Sequence, residues 1–338
     1  MSERRLGDMS LPTKILVYGL LFIWTAVVLF PLYWVVITSL KLPGQVADGP
    51  DYFPFIDYVP SLHAWKYIFI DLGSDTFRPY LNSVIIASIS TVLAMAVGSC
   101  AAYALARLHF RPRLLSVILF LFVLAGVVWL MASIGVSWKI AVASGLAVFV
   151  IAVFALSRLP SVRLSNGDIL FWVISQRILP PVVAALPIYI MFQQLGILDT
   201  HLAVILTYTT VNMPIVVWLM FDFFASIPKD IEESAELDGA SKFRIFREMV
   251  LPLARPGLAA TSLLVLILSW NEYLLALFLS TAKAQTLPLL VAAQNATRGP
   301  QWWYMSVLIV IMIVPVIILT LLLQRFIAKG LLLGAVKG

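Results

Sequence analysis

The sequence predicts an all-α integral membrane protein with about eight transmembrane helices and with both termini in the cytosol. Hydrophobic residues make up 62% of the 338 residues, charged residues make up 12%, and the mean hydropathy is +0.99. Soluble domains contain roughly 25% charged residues, so this chain belongs in a bilayer. The chain also contains eight apolar stretches of about 20 residues, the length that a helix needs to cross the hydrocarbon core.

The predicted spans follow one another along the whole chain. Prolines within several of them are interpreted as kinks, because neighbouring helices or water can satisfy the freed carbonyls. The first stretch, Leu11 to Leu40, is interpreted as a retained helix, because it is longer than a secretory signal and has no small-residue cleavage site. In chain order the spans are Ile15–Leu40, Tyr80–Ala106, Leu114–Ser133, Lys139–Leu156, Ile169–Leu195, Leu202–Ala225, Leu258–Ser280 and Met305–Ile327.

Basic residues determine the predicted orientation, because the cytoplasmic flanks of membrane proteins hold the excess of Lys and Arg. With the N-terminus inside, 17 of the 23 basic residues, beginning with Arg4 and Arg5, lie on the cytosolic side. Six, among them Lys139 and Arg298, lie outside. This distribution accounts for the net charge of +6, so the charge does not indicate nucleic-acid binding.

The sequence contains no pattern that predicts a metal site, a bound cofactor or a catalytic centre. Cys100 is the only cysteine, which excludes an intrachain disulfide and a cysteine-based metal site. His63, His109 and His201 lack the spacing of metal ligands and are interpreted as ordinary loop or interface residues.

The most informative segment is the loop Ser226–Gly257, the long polar connection on the predicted cytosolic side. Pro228 suits the first turn of a helix, and Glu232 and Glu233 shortly after it complement the positive end of the helix dipole. Gly239 provides the permissive backbone at which this helix can end and the chain can turn.

A second short helix is predicted after this turn. Ser241 is suited to cap it, and Phe243, Phe246 and Val250 fall at i, i+3 and i+7 on one face. Pro252 is expected to end the helix at the membrane. The predicted product is a bent pair of amphipathic helices with an apolar knob.

Two interpretations of this loop stay open from the residues alone. Basic amphipathic helices lie on lipid headgroups, which would make the loop a structured linker. An amphipathic helix also fits a groove on a partner protein, which would make the loop a docking element that transmits the movement of the partner.

The spacing within the loop resembles a known motif. Glu233-Ser234-Ala235, three residues, Gly239, nine residues and Met249-Val250-Leu251-Pro252 is similar to the EAA loop of bacterial ABC importer permeases. The pattern of that family is EAA, three residues, Gly, nine residues and Ile-x-Leu-Pro. Ser234 in place of Ala and Met249 in place of Ile are conservative departures from it.

Within that family the chain resembles the carbohydrate permeases of the maltose-transporter second-permease type. The similar segments occur in the expected order around the loop and cover nearly the whole chain apart from about Leu114 to Gly167. They are Asn82-Ser83, Tyr103-Ala104-Leu105-Ala106-Arg107, Leu179-Pro180-Pro181, Gly196-Ile197-Leu198-Asp199-Thr200, Trp270-Asn271-Glu272-Tyr273 and Gly334-Ala335-Val336-Lys337-Gly338.

This resemblance implies a multi-pass subunit of the bacterial inner membrane that works with other chains. The implied partners are a second, different permease subunit, two copies of a P-loop ATPase subunit and an external solute-binding protein, with membrane lipid around the spans. ATP and Mg are then used by the ATPase, and the chain binds no cofactor itself. The sequence agrees with this division, because it contains no GxxxxGK[ST] loop for holding phosphates.

By the same resemblance, the loop 226–257 couples the permease to the ATPase. Closure of the two ATPases on ATP is expected to switch the permease pair between inward-open and outward-open states. The tail Lys329–Gly338 is a further candidate for contact with the ATPases. The residues predicted for the main contact are Glu232, Glu233, Ser234, Ala235, Asp238, Gly239, Phe243, Leu251 and Pro252.

Residues 1–338 are predicted to form a single transmembrane domain with one insertion. The resembled subunits usually have six spans, so residues 114–157 are interpreted as an inserted transmembrane hairpin. The inserted helices carry no charge at their centres and are expected on the lipid-facing rim. A place in the pathway and a role in holding a partner or lipid both stay open.

Polar residues inside the spans are expected to face the bundle interior or a cavity, because they are costly in lipid. Asn and Gln both donate and accept hydrogen bonds, as hydroxyl-rich solutes require, although bonding to neighbouring helices is the alternative for each. Glu272 is the sharper candidate, because a carboxylate at this depth needs a partner or water. The substrate-path candidates are Asn82, Ser83, Gln176, Asn212, Asn271 and Glu272, with Gln193 and Gln194 as further polar residues.

Two other classes of protein are disfavoured. A secondary transporter or channel needs charged relays within the membrane, and the interiors of the predicted spans are nearly uncharged apart from Glu272. An integral-membrane enzyme needs a convergent catalytic set such as HExxH, which the sequence lacks. The solute stays open among a sugar, a short oligosaccharide, a polyol and a glycerol phosphate.

Overall fold

In the computed structural model the described residues are 10–108, 111–159, 161–295 and 299–335, without the side chains of 132, 158 and 325–335. The predictions for Arg4, Arg5, His109, Arg298 and the tail Lys329–Gly338 lie outside these residues or side chains. Within the described ranges the α-helices are α1 Leu11–Thr38, α2 Pro43–Ala47, α3 His63–Lys66, α4 Gly73–Arg107, α5 Leu114–Ile134, α6 Trp138–Ala155, α7 Asn166–Ser175, α8 Pro181–Leu195, α9 His201–Ser226, α10 Asp230–Leu237, α11 Lys242–Ile245, α12 Leu251–Leu253, α13 Arg255–Trp270, α14 Leu274–Leu279, α15 Leu287–Ala293 and α16 Trp302–Ala335.

Six of the described helices are long and apolar enough to cross a membrane, namely α1, α4, α5, α6, α9 and α16. Two further pairs of helices are bent, and the number of spans rises to eight if each pair counts as one. The prediction of an all-α membrane fold with about eight spans is therefore confirmed. The cytosolic placement of both termini stays a prediction.

The fifth predicted span is not one continuous helix. Helix α7 passes into a 3₁₀ turn at Gln176–Ile178, and α8 begins at Pro181. Pro180 and Pro181 break the helix between them, because proline lacks a backbone N–H and disfavours helical geometry in the preceding residue.

The seventh predicted span also ends early, with α13 stopping at Trp270 and α14 starting at Leu274. Polar side chains hold this break. Asn271 Nδ2 donates to the carbonyl oxygen of Ile267 at 2.8 Å, and Glu272 Oε1 accepts the backbone N–H of Leu275 at 3.0 Å. Such local side-chain bonds offer the backbone an alternative to continuing the helix.

Helices α5 and α6 form a hairpin within the segment predicted as the insertion. Gly145 of α6 lies against the side chain of Val127 of α5, so closely that a Cβ at position 145 would collide with it. Large apolar side chains such as Phe122 and Phe154 are three-quarters exposed, as a lipid-facing helix pair requires. Its interpretation as an insertion stays a prediction.

The contacts within the chain divide it into two compact units. Unit 1 consists of Met1–Thr91, Pro181–Tyr208 and Leu266–Arg325, and unit 2 consists of Val92–Pro180, Thr209–Val265 and Phe326–Gly338. The core of unit 1 contains Ala64, Ile68, Trp270, Leu287 and Leu308, all buried.

Lys41, in unit 1, is a buried cation that is 2% exposed. Its Nζ donates to the carbonyl oxygen of Asp51 at 2.6 Å and lies 4.9 Å and 5.0 Å from the ring centroids of Trp34 and Tyr58. Burial lowers the pKa of Lys41, and the nearby carboxylates of Asp51 and Asp57 oppose that shift. These contacts hold the segment after α2 against the end of α1.

Asp199, also in unit 1, ties the connection between α8 and α9 to the segment after α14. It adopts a left-handed backbone with φ +56°. Its Oδ1 accepts backbone N–H bonds from Thr281, Ala282, Lys283 and Ala284 at 2.9 to 3.1 Å. Burial raises the pKa of this carboxyl, but the four donors outweigh burial and bring the pKa to about 2.

Candidate functional site

Helix α10 opens the predicted cytosolic loop in unit 2. It starts at Asp230 with Lys229 at the N-cap, and its first turn is acidic, which complements the helix dipole. Pro228 lies one residue before this cap rather than in the first turn. Gly239 follows the helix with φ +82°, a left-handed conformation that suits glycine. The predicted end of the helix at Gly239 is confirmed.

Ser241 caps the second helix as predicted, because its Oγ accepts the backbone N–H of Arg244 at 3.3 Å. Helix α11 continues through a π-helical turn at Phe246–Val250 into α12. The chain then bends by 79° into α13. Pro252 lies in the last turn before this bend, and Pro256 lies in the first turn of α13, where its missing N–H breaks no helix bond.

One side of this loop is buried in the core of unit 2. Ala235 of α10 and Ile245, Phe246 and Val250 of the second helix are each at most 8% exposed. They pack in one cluster with Phe224 from the end of α9. Burying each large apolar side chain stabilises the fold by about 1.5–3 kcal/mol, so this side of the loop is anchored in the core of unit 2.

Phe243 does not lie on this buried side, so the prediction that Phe243, Phe246 and Val250 share one face is wrong. Its side chain is 69% exposed, whereas Ile245 is 1% exposed. Helix α11 has a single turn before the π-helical turn begins. The wider turn changes the angular spacing, and Ile245 takes the inward position instead.

Glu232 of α10 is buried in an ion pair with Arg107, the last residue of α4. Arg107 Nε donates to Glu232 Oε1 at 2.5 Å, and Arg107 Nη2 donates to the carbonyl oxygen of Ile227 at 2.8 Å. Tyr103, one turn earlier on α4, donates its hydroxyl to Glu232 Oε2 at 2.7 Å. Because both carboxylate oxygens have donors, the buried charge is compensated.

Tyr103 also belongs to a cluster of three aromatic rings. The ring of Tyr103 lies 4.7 Å from that of Phe246 and 5.8 Å from that of Phe224, centroid to centroid. Phe224 and Phe246 lie 5.9 Å apart in an edge-to-face arrangement, which aromatic pairs prefer. The rings join α4, α9 and the second helix of the loop at one point.

The opposite side of the loop is exposed. Leu237, at the end of α10, is 91% exposed, and the exposed Phe243 follows it across the turn. Lys242 bonds to Glu236 at 2.6 Å on this surface, and that bond raises the pKa of Lys242. We call this surface the loop tip. It consists of Glu233, Ser234, Leu237, Asp238, Gly239 and Phe243, all exposed.

Comparison with known proteins shows to which family this chain belongs. A family model described as "Binding-protein-dependent transport system inner membrane component" matches residues 112–332, more than half of the chain. The chain belongs to this family. It is a multi-pass ABC importer permease of the bacterial inner membrane. The predicted family and the predicted localisation are confirmed.

Several relatives of this permease are similar over nearly their whole length. The trehalose transport system permease protein SugB of Mycobacterium tuberculosis is 31% identical over 316 residues, covering 92% of this chain and 93% of the relative. The trehalose/maltose transport system permease protein MalG of Thermococcus litoralis is 29% identical over 315 residues, covering 92% of each. A solved bacterial ABC transporter involved in the import of the acidic polysaccharide alginate has a chain with the same fold, with a TM-score of 0.61, 20% identity, and coverage of 97% of this chain and 100% of that chain.

Two substrate-path candidates of the permease are bonded within unit 1. Asn82 Nδ2 donates to the carbonyl oxygens of Lys283 and Gln285 at 2.9 Å and 2.8 Å, and Asn82 Oδ1 lies 2.7 Å from His201 Nε2. Ser83 Oγ accepts the backbone N–H of Leu287 at 2.7 Å. Both side chains belong to residues at most 4% exposed, so these bonds hold the chain around them.

The candidates at the α13–α14 break are more accessible. Asn271 lines a cavity of about 800 Å³ in unit 1, together with Tyr273, Asn295 and the apolar residues Met305 and Met312. Asn271 is exposed and Glu272 is half-buried. The carbonyl oxygen of Glu272 also accepts the hydroxyl of Tyr208 at 3.0 Å.

The remaining candidates lie in different surroundings. Gln176 is exposed in the 3₁₀ turn after α7, as are Gln193 and Gln194 near the end of α8, whereas Asn212 is buried in α9. No group of three or more His, Cys, Asp and Glu side chains suited to a metal ion occurs in the described part of the chain. The roles of all these residues in transport stay predictions.

Sequence reasoning missed the roles of Tyr103 and Arg107. Both stood in the segment that resembles the family at the end of α4, but nothing local in the sequence connects that segment to Glu232, 125 residues later. The available signal was Arg107 itself, a basic residue at the end of an apolar span and far from any acid in sequence. From the sequence, the charge of Arg107 was used only to predict the orientation of the spans in the membrane.

Proposed function

We propose that this permease moves a carbohydrate or polyol across the inner membrane and that a separate ATPase drives it through the loop tip. The observation that carries the proposal is the contrast between the two sides of the loop. The side at Glu232 is locked by a buried ion pair, whereas Leu237 is 91% exposed at the end of the same helix. A large apolar side chain presented in this way is typical of an anchor that enters a pocket on a partner.

The two sides of the loop supply different parts of a coupling device. A push on Leu237 or Phe243 acts on α10, whose base is bonded through Glu232 to Arg107 on α4. Because the aromatic cluster and the ion pair are close-packed, the loop transmits the displacement as a rigid body to α4 and α9. Glu232 therefore positions the loop, and exposed residues such as Glu233 and Asp238 contact the partner.

The chemistry of ATP belongs to the partner in this proposal. Two copies of a P-loop ATPase use ATP and Mg, and a second, different permease completes the pathway. An external solute-binding protein delivers the solute. The termini of this chain lie in the cytosol, on the side of the loop tip. The family description, which refers to binding-protein-dependent transport, supports this set of partners.

Two observations support a carbohydrate or polyol as the solute: the names of the relatives and the lining of one cavity. The relatives named for trehalose, for trehalose and maltose, and for diacetylchitobiose all transport hydroxyl-rich solutes. The cavity beside Asn271 offers the amides of Asn271 and Asn295 and the hydroxyl of Tyr273. These groups both donate and accept, as a sugar requires. Glu272 stands next to this cavity as a further acceptor.

The test compares two apolar substitutions on α10 in the full chain, co-expressed with the neighbouring transporter genes and purified by an N-terminal tag. Leu237→Ser removes the exposed side chain of the tip. Ile231→Ser is the matched control, because position 231 lies about 120° away around the helix and its side chain is 38% exposed. We expect Leu237→Ser to lose the P-loop ATPase and Ile231→Ser to keep it.

A transport assay with the same preparations tests the class of transporter. Proteoliposomes containing the wild-type complex and its binding protein are expected to accumulate labelled trehalose or maltose only when ATP is supplied to the ATPase. Uptake by the permease alone without ATP would contradict the proposal and indicate a secondary carrier. Retention of the ATPase by Leu237→Ser would remove the loop tip as the contact.

A further inference from the structure

The base of the α5–α6 hairpin contains an unusual concentration of positive charge. Residues 108–167 include Arg111, Arg113, Lys139, Arg158 and Arg163 and not one Asp or Glu. Four of these five cations lie in the short segments that lead into and out of the hairpin, outside its apolar helices. Arg113 is the residue immediately before α5, at the boundary of a candidate membrane span.

The two chain segments at this base are held together by backbone bonds. Leu114 N donates to the carbonyl oxygen of Val162 at 2.8 Å, and Leu164 N donates to the carbonyl oxygen of Pro112 at 2.9 Å. Arg113 and Arg163 therefore form an antiparallel β-bridge. Residues directly opposite in such a pair carry side chains on the same side, where two like charges repel each other.

The structure shows no carboxylate that offsets this repulsion. Among the described residues, no ion pair involves Arg113 or Arg163. Arg113 Nη1 donates to the carbonyl oxygen of Ser157, which uses one of the five N–H donors of a guanidinium. Within the described part of the chain, the remaining donors of Arg113 and the guanidinium of Arg163 have no hydrogen-bond partner and are available to an anion.

A cavity lies directly beside Arg113. It has a volume of about 240 Å³, and its lining combines Arg113 and two serines with four apolar side chains. Ser116 and Ser157 stand near Arg113 at the base of the hairpin, and Leu119 of α5 and Val153 of α6 continue the lining further into the apolar helices. A ligand that fills it carries an anion at one end and a hydrocarbon segment at the other.

We propose that this cavity binds one anionic phospholipid, with its phosphate at Arg113 and Arg163 and the first part of an acyl chain between Leu119 and Val153. A free phosphate ion matches the arginines but leaves the apolar walls empty. A lipid matches both parts and is present at high concentration at this depth of the membrane. Basic residues beside a span attract anionic lipids by about fivefold each. The site belongs to the hairpin and is independent of the loop tip.

Native mass spectrometry of the full-length permease in mild detergent tests this site. The probes are phosphatidylglycerol and phosphatidylcholine with identical acyl chains, added in equal amounts. We expect the wild type to retain phosphatidylglycerol in preference to phosphatidylcholine. Arg163→Gln is expected to reduce this preference about fivefold, and Ser116→Leu, which fills the cavity, is expected to reduce retention of both lipids.

Lys139→Gln is the matched control, because it removes one cation at the opposite end of the hairpin, next to Trp138. It is expected to leave the lipid preference unchanged. The melting temperature of each variant shows whether it folds. If Ser116→Leu does not fold, the lipid preference of Arg163→Gln alone tests the proposal. Equal retention of the two lipids by the wild type would overturn the proposal, as would an unchanged preference in Arg163→Gln. Displacement of the lipid by an excess of inorganic phosphate would also overturn it, because the site would then be a simple anion site.

Discussion

Arg107 Nε lies 2.5 Å from Glu232 Oε1, and this contact joins the end of α4 to the first turn of α10. The two side chains are 9% and 10% exposed, so water screens their charges weakly. Breaking a buried pair costs more than forming it gains, because the remaining charge is left without a partner.

Glu232→Ala is therefore expected to lower the free energy of unfolding by about 3–5 kcal/mol and to uncouple ATP hydrolysis from transport. The exposed pair of Glu236 with Lys242 provides a matched control, since water screens this pair and Glu236→Ala is expected to leave the free energy of unfolding almost unchanged. The double variant Arg107→Met/Glu232→Leu is expected to be more stable than Glu232→Ala. Thermal melting of the purified complex measures all three, and equal losses for the two alanine variants would contradict the role of burial.

Gly239 tests the backbone geometry of the loop without a change of contacts. A Cβ at this position meets nothing within 4 Å, but the residue has φ +82°. Gly239→Ala is therefore expected to cost about 1–2 kcal/mol from backbone strain alone, and Gly239→Asn less, because Asn tolerates this conformation. Hydrogen exchange of residues 235–241 reports the local opening. Identical behaviour of the Ala and Asn variants would show that strain is not the cause.

Gly98 of α4 allows the close approach of α9 in unit 2. A Cβ at position 98 would lie 2.7 Å from Val216 Cγ1 and 2.9 Å from Val216 Cβ. Gly98→Ala is expected to destabilise the permease by about 1–3 kcal/mol, and Val216→Ala is expected to restore much of the loss by removing the clash. Gly126→Ala in α5, where a Cβ meets nothing within 4 Å, is the control and is expected to be neutral or stabilising. The melting temperature in detergent is the measurement.

Asp199 makes the stability of unit 1 depend on pH. Its pKa in the folded protein is about 2, below the ordinary aspartate value of 3.8, so its contribution is fully present above about pH 4 and is lost as the pH falls through about 2. The contribution is about 2 kcal/mol, and Asp199→Asn is expected to lose it at neutral pH because an amide is a weaker acceptor. Hydrogen exchange of the amides of 281–284 is the readout. Equal protection of these amides in the wild type and in Asp199→Asn would contradict the prediction.

The sequence by itself determined the class, the approximate number of spans, and the turn and cap within the loop 226–257. A long apolar stretch predicts a membrane helix, because the bilayer core contains no water and each backbone N–H and C=O must find its partner within the helix. Gly239 and Ser241 act through their own backbones and nearest neighbours, so their roles at the turn and the cap were readable without a structure. These are local effects, which sequence spacing reports directly.

Only the tertiary structure decided which side of the loop is buried and which side is exposed. Glu232 was predicted as one of a row of contact residues, but it pairs with Arg107, 125 positions earlier. Phe243 was predicted on one face with Phe246 and Val250, yet it is exposed while they are buried, because a π-helical turn shifts the inward position to Ile245. Pairing of distant residues and the angular shift of a short helix both depend on what packs against them, and sequence periodicity carries no information about that.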